Sequence, residues 1–332
     1  MTKKKICLIV IGILSILVIL GVLIVSGFAI KNAYLVNKYE LSDYTNTVAG
    51  DRIHFLNVTN SDAILLESNG KFAMVDCAED TDNPRNFKSL DLKGHEEFVI
   101  NYIKQIAGDK EGNVTLEFVI GTHSHSDHIG GFDTLINDKN ITVKKAYLKK
   151  YDESIINDYE KSKWDNKEVY EQMINACIAN NVEIVQDLAN AKLVLGNFNL
   201  TIFNGENETT KNNLGENENS LGVLVQKNEM KAFLAGDINN IDGDEDRISL
   251  ELGKIDLLKV GHHGYDKSTT KNWIKRLKPN IAIVPNYKVA LNLPSYIGLI
   301  NANSSIFGAV DNNGIVAQFE DNKIVLYKNL HK

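Results

Sequence analysis

"VIGTHSHSDHIGGF", residues 119–132, places three histidines and an aspartate within six positions, where an apolar run gives way to paired glycines. His123, His125 and His128 offer neutral imidazole nitrogens and Asp127 a carboxylate, the ligand types of zinc, manganese or iron. The preceding "TLEFVIGT" reads as a buried strand. A regular strand would send residues 123, 125 and 127 to one face and 128 to the other. A loop lifts that restriction, so His123 and His125 can hold one metal while Asp127 and His128 hold a second. Gly130 and Gly131 permit a tight turn into a following helix.

Two later strand ends carry matching chemistry. "FLAGDI", 233–238, closes an apolar run on Gly236 and Asp237, and an aspartate there can bridge two cations. "LLKVGHHG", 257–264, ends another run on His262 and His263. Paired histidines after a buried strand are poor packing residues.

The T-H-x-H-x-D-H, A-G-D and G-H-H-G motifs, in that order, resemble the metallo-β-lactamase fold of hydrolases, over about residues 51–327. More narrowly, "FLNVTNSDAILLESNGKFAMVDC", "NENSLGVLVQ", "DLLKVGHHGYDKST" and "LKPNIAIVP" are similar in order and spacing to its ComEC-like branch. Phosphorylcholine esterase domains belong to the same neighbourhood. The resemblance implies an α/β (α+β) four-layer αββα sandwich and two divalent metal ions, zinc or manganese. It puts His123 and His125 at the first metal, Asp127 and His128 at the second, and Asp237 between them. One of His262 and His263 completes the second site, with His262 favoured as ligand and His263 as proton donor or substrate contact. The reverse assignment stays open. The catalytic set is Asp127, Asp237 and His263, acting on a phosphoryl or carbonyl centre through a water whose pKa the cations lower. Asp62, opening the second strand, lies near the site in ComEC-like proteins, although a turn or capping role suits it equally. The sequence departs from many family members in having no histidine from 129 to 261, and Asn219 or Ser220 stands where one is common. The branch's V-G-Q-G-D is here "VTNSD", and its later H-P-S is Leu293-Pro294-Ser295.

The 332-residue chain is 43% hydrophobic and carries a net charge of −7. That length suits one large domain or at most two. The acidic balance argues against non-specific nucleic-acid binding and favours a small phosphoester substrate over duplex DNA. Cys7, Cys77 and Cys177 form no C-x-x-C, so neither a thiolate zinc site nor a disulfide framework is indicated. Cys77 and Cys177 read as buried small hydrophobes.

Residues 6–30 contain no charge and follow "MTKKK". Twenty-odd apolar residues cross a hydrocarbon core of about 30 Å as a helix. The lysine excess places the N-terminus inside and residues 31–332 outside. A cleaved signal is the rival reading, with small residues at Ser26, Gly27 and Ala29. The expected organisation is a membrane anchor over 1–30, a polar linker over 31–50 and a hydrolase domain over 51–328.

Asn69-Gly70 marks a hairpin. A helix is expected within 94–108, more helix over 152–181 and strands over 192–204. Residues 205–219 read as a solvated loop, followed by a strand pair to 238 and a strand before His262. A helix within 271–279, a strand at 280–285 and short strands around Asp311–Gly314 complete the chain. "DINNIDGDEDR" lacks a glycine at EF-hand spacing and reads as a loop leading into a helix. His54 and His95 read as structural or surface residues, and His331 lies in the tail. Tyr151, Tyr159, Trp164 and Tyr170 sit among acidic residues and either pack helices or cage a quaternary ammonium group. The first functional expectation is a membrane-anchored, outward-facing binuclear hydrolase of phosphoesters. The second is an envelope protein that keeps the fold, binds a ligand and turns over weakly or not at all. A third is a component linked to DNA uptake, which a single apolar segment argues against as a channel.

Overall fold

The structure is a computed structural model and describes residues 3–45, 49–81, 93–206 and 213–330. His331 lies outside the described residues. A long helix, α1 (Lys3–Val36), precedes the body. Next come β1 (Ser42–Asp43), β2 (Asp51–Phe55), β3 (Ala63–Ser68) and β4 (Lys71–Cys77). Then follow α2 (Glu96–Ala107), β5 (Val114–Ile120), the single turn α3 (Ser126–Ile129) and α4 (Phe132–Asn137). β6 (Ile141–Val143), β7 (Lys145–Tyr147), α5 (Asp158–Lys163), α6 (Asn166–Ala179) and β8 (Glu183–Val185) close the first half. The second half opens with β9 (Lys192–Leu195), β10 (Phe198–Phe203), β11 (Gly222–Lys227) and β12 (Met230–Leu234). It continues through α7 (Asp244–Leu252), β13 (Leu257–Lys259), α8 (Lys271–Leu277), β14 (Ile281–Val284), α9 (Leu293–Asn301) and β15 (Ser305–Gly308). β16 (Ile315–Phe319) and β17 (Ile324–Lys328) return to the first sheet.

Two sheets stack face to face. One runs β1-β17-β16-β2-β3-β4-β5-β7-β8, with β6 also on β5, and the other runs β15-β14-β13-β12-β11-β10-β9. Strand alternation divides the apolar residues between layers. Ile64 and Leu66 of β3 enter the core between the sheets, against Val223, Leu234 and Ile283. Leu65 between them points outward, into a second core with Ile103 of α2, Phe132 of α4 and Met173 of α6. On the far side Leu258, Ala282 and Ile306 meet Ile248 of α7, Trp273 of α8 and Leu299 of α9. Each such large side chain contributes about 1.5–3 kcal/mol by leaving water. The result is the expected αββα sandwich. The expected hairpin joins β3 and β4, with Asn69 and Gly70 both at positive φ, 49° and 71°, as a two-residue turn matched to strand twist requires.

β12 through β15 run parallel, each linked to the next by a helix on the outer face. β4 and β5 are also parallel. In such sheets the carboxyl ends of the strands share a rim, where ligands bind. The ligand-bearing segments follow the ends of β5, β12 and β13, and Asp62 precedes β3, whose start pairs with the end of β4.

Three segments differ from expectation. α9 occupies "LPSYIGLIN", where no element is expected; Asn292 caps it by accepting the Ser295 N–H at 3.0 Å, and Pro294 sits in its first turn. Within 205–219, residues 207–212 lie outside the described residues, but Glu216–Asn219 form a 3-10 turn in which Glu216, Glu218 and Asn219 are buried rather than solvated. Residues 31–50 are no free spacer either. Leu35 is buried, its carbonyl accepts from Ser305 Oγ at 2.8 Å, and β1 pairs in parallel with β17. α1 is the one helix among the described residues long and apolar enough to cross a membrane, over Val10–Val36, with residues such as Leu17 and Val22 exposed.

Candidate metal centre

The histidine-rich loop leaves β5 at Gly121 and immediately starts α3, so its side chains turn through a coil rather than alternate. All of residues 121–131 are buried. His123 Nδ1 lies 3.0 Å from Thr122 Oγ1, which leaves Nε2 facing His125 Nδ1 at 3.0 Å. Asp237 Oδ2 stands 3.9 Å from the same His123 Nε2. His123, His125 and Asp237 thus form one group whose candidate ligand atoms lie within 4.8 Å of one another.

A second group under the same limit joins Asp62, His128, Asp237 and His263. His128 Nδ1 is held by Asp76 Oδ2 at 2.7 Å, so its Nε2 faces Asp237 Oδ1 and His263 Nε2, each at 3.2 Å. Asp76 is itself fixed by the Thr122 N–H and hydroxyl, both at 2.8 Å. A carboxylate behind a histidine in this way sets the tautomer and aims the free lone pair. Asp127 Oδ2 lies 3.1 Å from His263 Nε2 and outside both groups. Asp237 belongs to both, the place expected for a bridging residue.

The adjacent histidines diverge. His263 is buried and its Nδ1 stands 3.3 Å from Asp62 Oδ1, close but without hydrogen-bond alignment. His262 keeps 30% of its side chain exposed, 4.0 Å from Asp237, and its Nε2 pairs with Asn217 Nδ2 at 3.2 Å. The structure therefore groups His263, not the favoured His262, with Asp62, His128 and Asp237. Both residues have positive φ, 49° and 48°. Two successive non-glycine residues in that region cost on the order of 1–3 kcal/mol each and mark a functional turn. The left-handed pair sends the two rings to different depths.

Neither Asn219 nor Ser220 replaces the missing histidine simply. Asn219 Oδ1 accepts from Lys149 Nζ at 2.9 Å, and Ser220 Oγ accepts the Asp237 N–H at 2.9 Å. Ser220 thus holds the loop that carries Asp237, and Asn219 ties its turn to Lys149 after β7. Several contributors escaped the sequence reading. Lys259 is fully buried, pairs with Asp62 Oδ2 and donates to the Gly236 carbonyl at 2.7 Å. Glu160 of α5 stands 3.7 Å from His125 Nε2, and Trp164 stacks on the His125 ring at 4.9 Å. Glu216 accepts the Ser124 N–H at 3.1 Å. Signals existed: Asp76 ends an apolar run as Asp237 does, and Lys259 interrupts one. The aromatic residues divide into the Trp164–His125 stack and a Tyr151–Tyr170 pair at 5.6 Å, with Tyr159 exposed, instead of one cage. His54 is structural, bound to Tyr102 at 2.8 Å, and His95 precedes α2.

Burial alone would favour neutral groups throughout, but the carboxylates and imidazoles oppose it. Burial raises Asp237, yet His128 and His263 hold it well below the usual carboxylate range, and His128 likewise keeps Asp127 low. Burial lowers His263, but Asp237, Asp127 and Asp62 outweigh it and push it to about 9. His128 is raised against burial by Asp237 and Asp76, whereas burial and the neighbouring His128 and His125 drive His123 well down. Asp62, Asp76, Asp127 and Asp237 bring four carboxylates into the buried site, faced by the Lys259 ammonium and by the raised His128 and His263. Asp127 Oδ1, Asp237 Oδ1 and His125 Nε2 make no hydrogen bond. Inward-facing lone pairs, mixed nitrogen and oxygen donors and clustered buried carboxylates fit a pair of divalent cations.

Comparison with known proteins gives a consistent result. The chain is 26% identical over 211 residues to Recombination protein 2 of Haemophilus influenzae, covering 60% of this chain and 22% of that protein. It is 26% identical over 175 residues to ComE operon protein 3 of Bacillus subtilis, covering 52% and 20%. It thus spans about a fifth of the length of these curated relatives. The metallo-beta-lactamase fold protein YhfI of Bacillus subtilis superposes with a TM-score of 0.49 at 12% identity, covering 79% of this chain and 97% of that one. Residues 96–276, more than half of the chain, match the family described as the Beta-lactamase superfamily domain, and the chain belongs to that family.

Proposed function

We propose that this protein is a metal-dependent hydrolase of small phosphoesters, held at a membrane by α1 with its centre outside the cell. The observation that carries the reading is the sharing of Asp237 by two buried ligand groups, His123–His125 and Asp62–His128–His263. When bound there, two divalent cations, zinc or manganese, would supply Lewis acidity and lower the pKa of a coordinated water.

The chain's own residues do the rest. His123, His125, His128 and His263 would supply nitrogen ligands, Asp237 would be shared by the two positions, and Asp127 lies beside His263 as a further carboxylate of the second position. Asp62, held by Lys259, is a further carboxylate of the second group on the Nδ1 side of His263. Asp76 orients His128 from behind, and Glu160 does the same for His125. His262 belongs to the substrate side. It borders a cavity of about 470 Å³ that Tyr265, Lys267 and Asn292 also line. Asp266 and Lys267 stand together at that rim, where the ammonium can meet a substrate's phosphate, and His262, whose pKa burial lowers, is placed to exchange a proton with a leaving group.

Metal analysis and turnover test this reading. The purified chain should hold two equivalents of zinc or manganese and hydrolyse a generic phosphodiester. Asp237→Ala should lose at least one equivalent and nearly all turnover, about 10³-fold or more, because it removes a ligand from both positions. Undiminished hydrolysis by that variant would sink the assignment. Full metal loading with no turnover of phosphodiesters, phosphorylcholine esters, β-lactams or thioesters would favour a ligand-binding role on the same fold. The relatives are named for recombination and the ComE operon, so single-stranded and duplex DNA belong among the substrates screened.

A further inference from the structure

We propose that the groove between α8 and α9 takes the headgroups of anionic phospholipids and seats the domain on the bilayer that α1 enters. This rests on the reading of α1 as a membrane anchor. Lys271 and Lys275 fall at i and i+4 on one face of α8, and Lys278, the left-handed residue that caps the helix, lines the same groove. All three are exposed, and among the described residues none has an ion-pair partner. Arg276, by contrast, is held by Asp246 at 2.5 Å. Across the groove stand Pro294, Ile297 and Gly298 of α9, with Ile274 as floor and Ala302 and Asn303 at one end, enclosing about 660 Å³. Lysines over an apolar floor match a phospholipid, whose phosphate is anionic and whose glycerol and upper chains are not.

Topology places this groove on the membrane side. β12 to β15 are parallel, so Ser305 at the start of β15 lies at the rim opposite Asp237 and His263, which follow the ends of β12 and β13. Ser305 is also where the α1 helix is tied, through the Leu35 carbonyl. Lys278 precedes β14 and Asn301–Asn303 precede β15, so that end of the groove shares the rim from which α1 leaves. Phe28, within the apolar stretch, packs on the same outer core as α9, so no spacer separates the domain from the rest of that stretch. The metal centre then faces away from the bilayer.

The test uses the full chain in lipid nanodiscs of phosphatidylcholine alone or mixed with phosphatidylglycerol. Hydrogen exchange is followed over residues 271–278 and 293–303. Each lysine near an anionic surface favours the seated state about fivefold. Amide protection in both segments should therefore rise several-fold in the mixed discs. The triple variant K271Q/K275Q/K278Q should lose that rise, as should about 1 M salt, where the screening length shrinks to about 3 Å. Equal exchange in the two discs, or a rise that survives the triple substitution, overturns the headgroup site while leaving the anchor intact. A chain that elutes apart from the discs overturns the anchor reading, and the headgroup site with it.

Discussion

At the scale of single residues, the centre depends on groups that never reach a ligand position. Asp76 fixes His128 Nδ1 at 2.7 Å and is itself fixed by Thr122. Asp76→Asn keeps the shape but removes the charge that holds the tautomer. Its metal affinity, measured by chelator competition, should fall about 10- to 100-fold, the range for lost partners behind a histidine ligand. An unchanged affinity would show that Asp76 only packs. Lys259 makes a different demand. Its ammonium is fully buried against Asp62. Lys259→Met strands that carboxylate and should destabilise the chain by about 3–5 kcal/mol in denaturant titration. Lys259→Met with Asp62→Asn should recover a large part of the loss, since the two effects are coupled. Simple additivity of the two substitutions would count against the pair. The histidines and Asp237 were legible in the sequence because chemistry crowded them at strand ends. Asp76 and Lys259 were hidden by looking like a turn residue and an interruption, and only their burial reveals what they face.

At the scale of elements, most helices and strands followed their patterns, while α9, β1 and the Glu216–Asn219 turn did not. Alternation and helical spacing report which face meets a core, and β3, α2 and α8 obeyed them. The Glu216–Asn219 turn read as solvated because its residues are polar, yet three of the four are buried. Polarity marks a loop without saying whether it lies over water or over a charged centre. His95 shows how an element terminus carries a pH dependence. It precedes α2, is 8% exposed, and burial, aided by the Lys93 cation, lowers its pKa from 6.5 to about 4. The folded-state value is depressed, so the contribution is complete above about pH 6.5 and lost as pH falls towards 4. Discounted for partial solvent access, it amounts to on the order of 1–2 kcal/mol. Urea midpoints of His95→Gln should decline less than those of the unsubstituted chain over that interval. Parallel declines would assign the acid sensitivity elsewhere.

At the scale of the whole molecule, the segment after the apolar stretch is part of the body. Leu35 enters the outer core, Tyr39 packs edge-on to Phe307 at 5.8 Å, and β1 joins β17. A chain beginning at residue 31 should melt close to the full domain. One beginning at residue 45 gives up the Leu35 and Tyr44 burial and should melt roughly 5–10 °C lower. Equal melting temperatures would return residues 31–44 to the status of a linker. The sequence by itself determined the fold class, the apolar N-terminal helix and the residue types of the centre. Periodicity, length and ligand chemistry are local properties that a string of residues displays directly. The tertiary structure alone decided which histidine of 262 and 263 turns inward, which carboxylates stand behind the ligands, and that Lys259 meets Asp62. Those outcomes depend on left-handed turns and on strands nearly two hundred residues apart meeting at one rim, and chain order does not encode such distances.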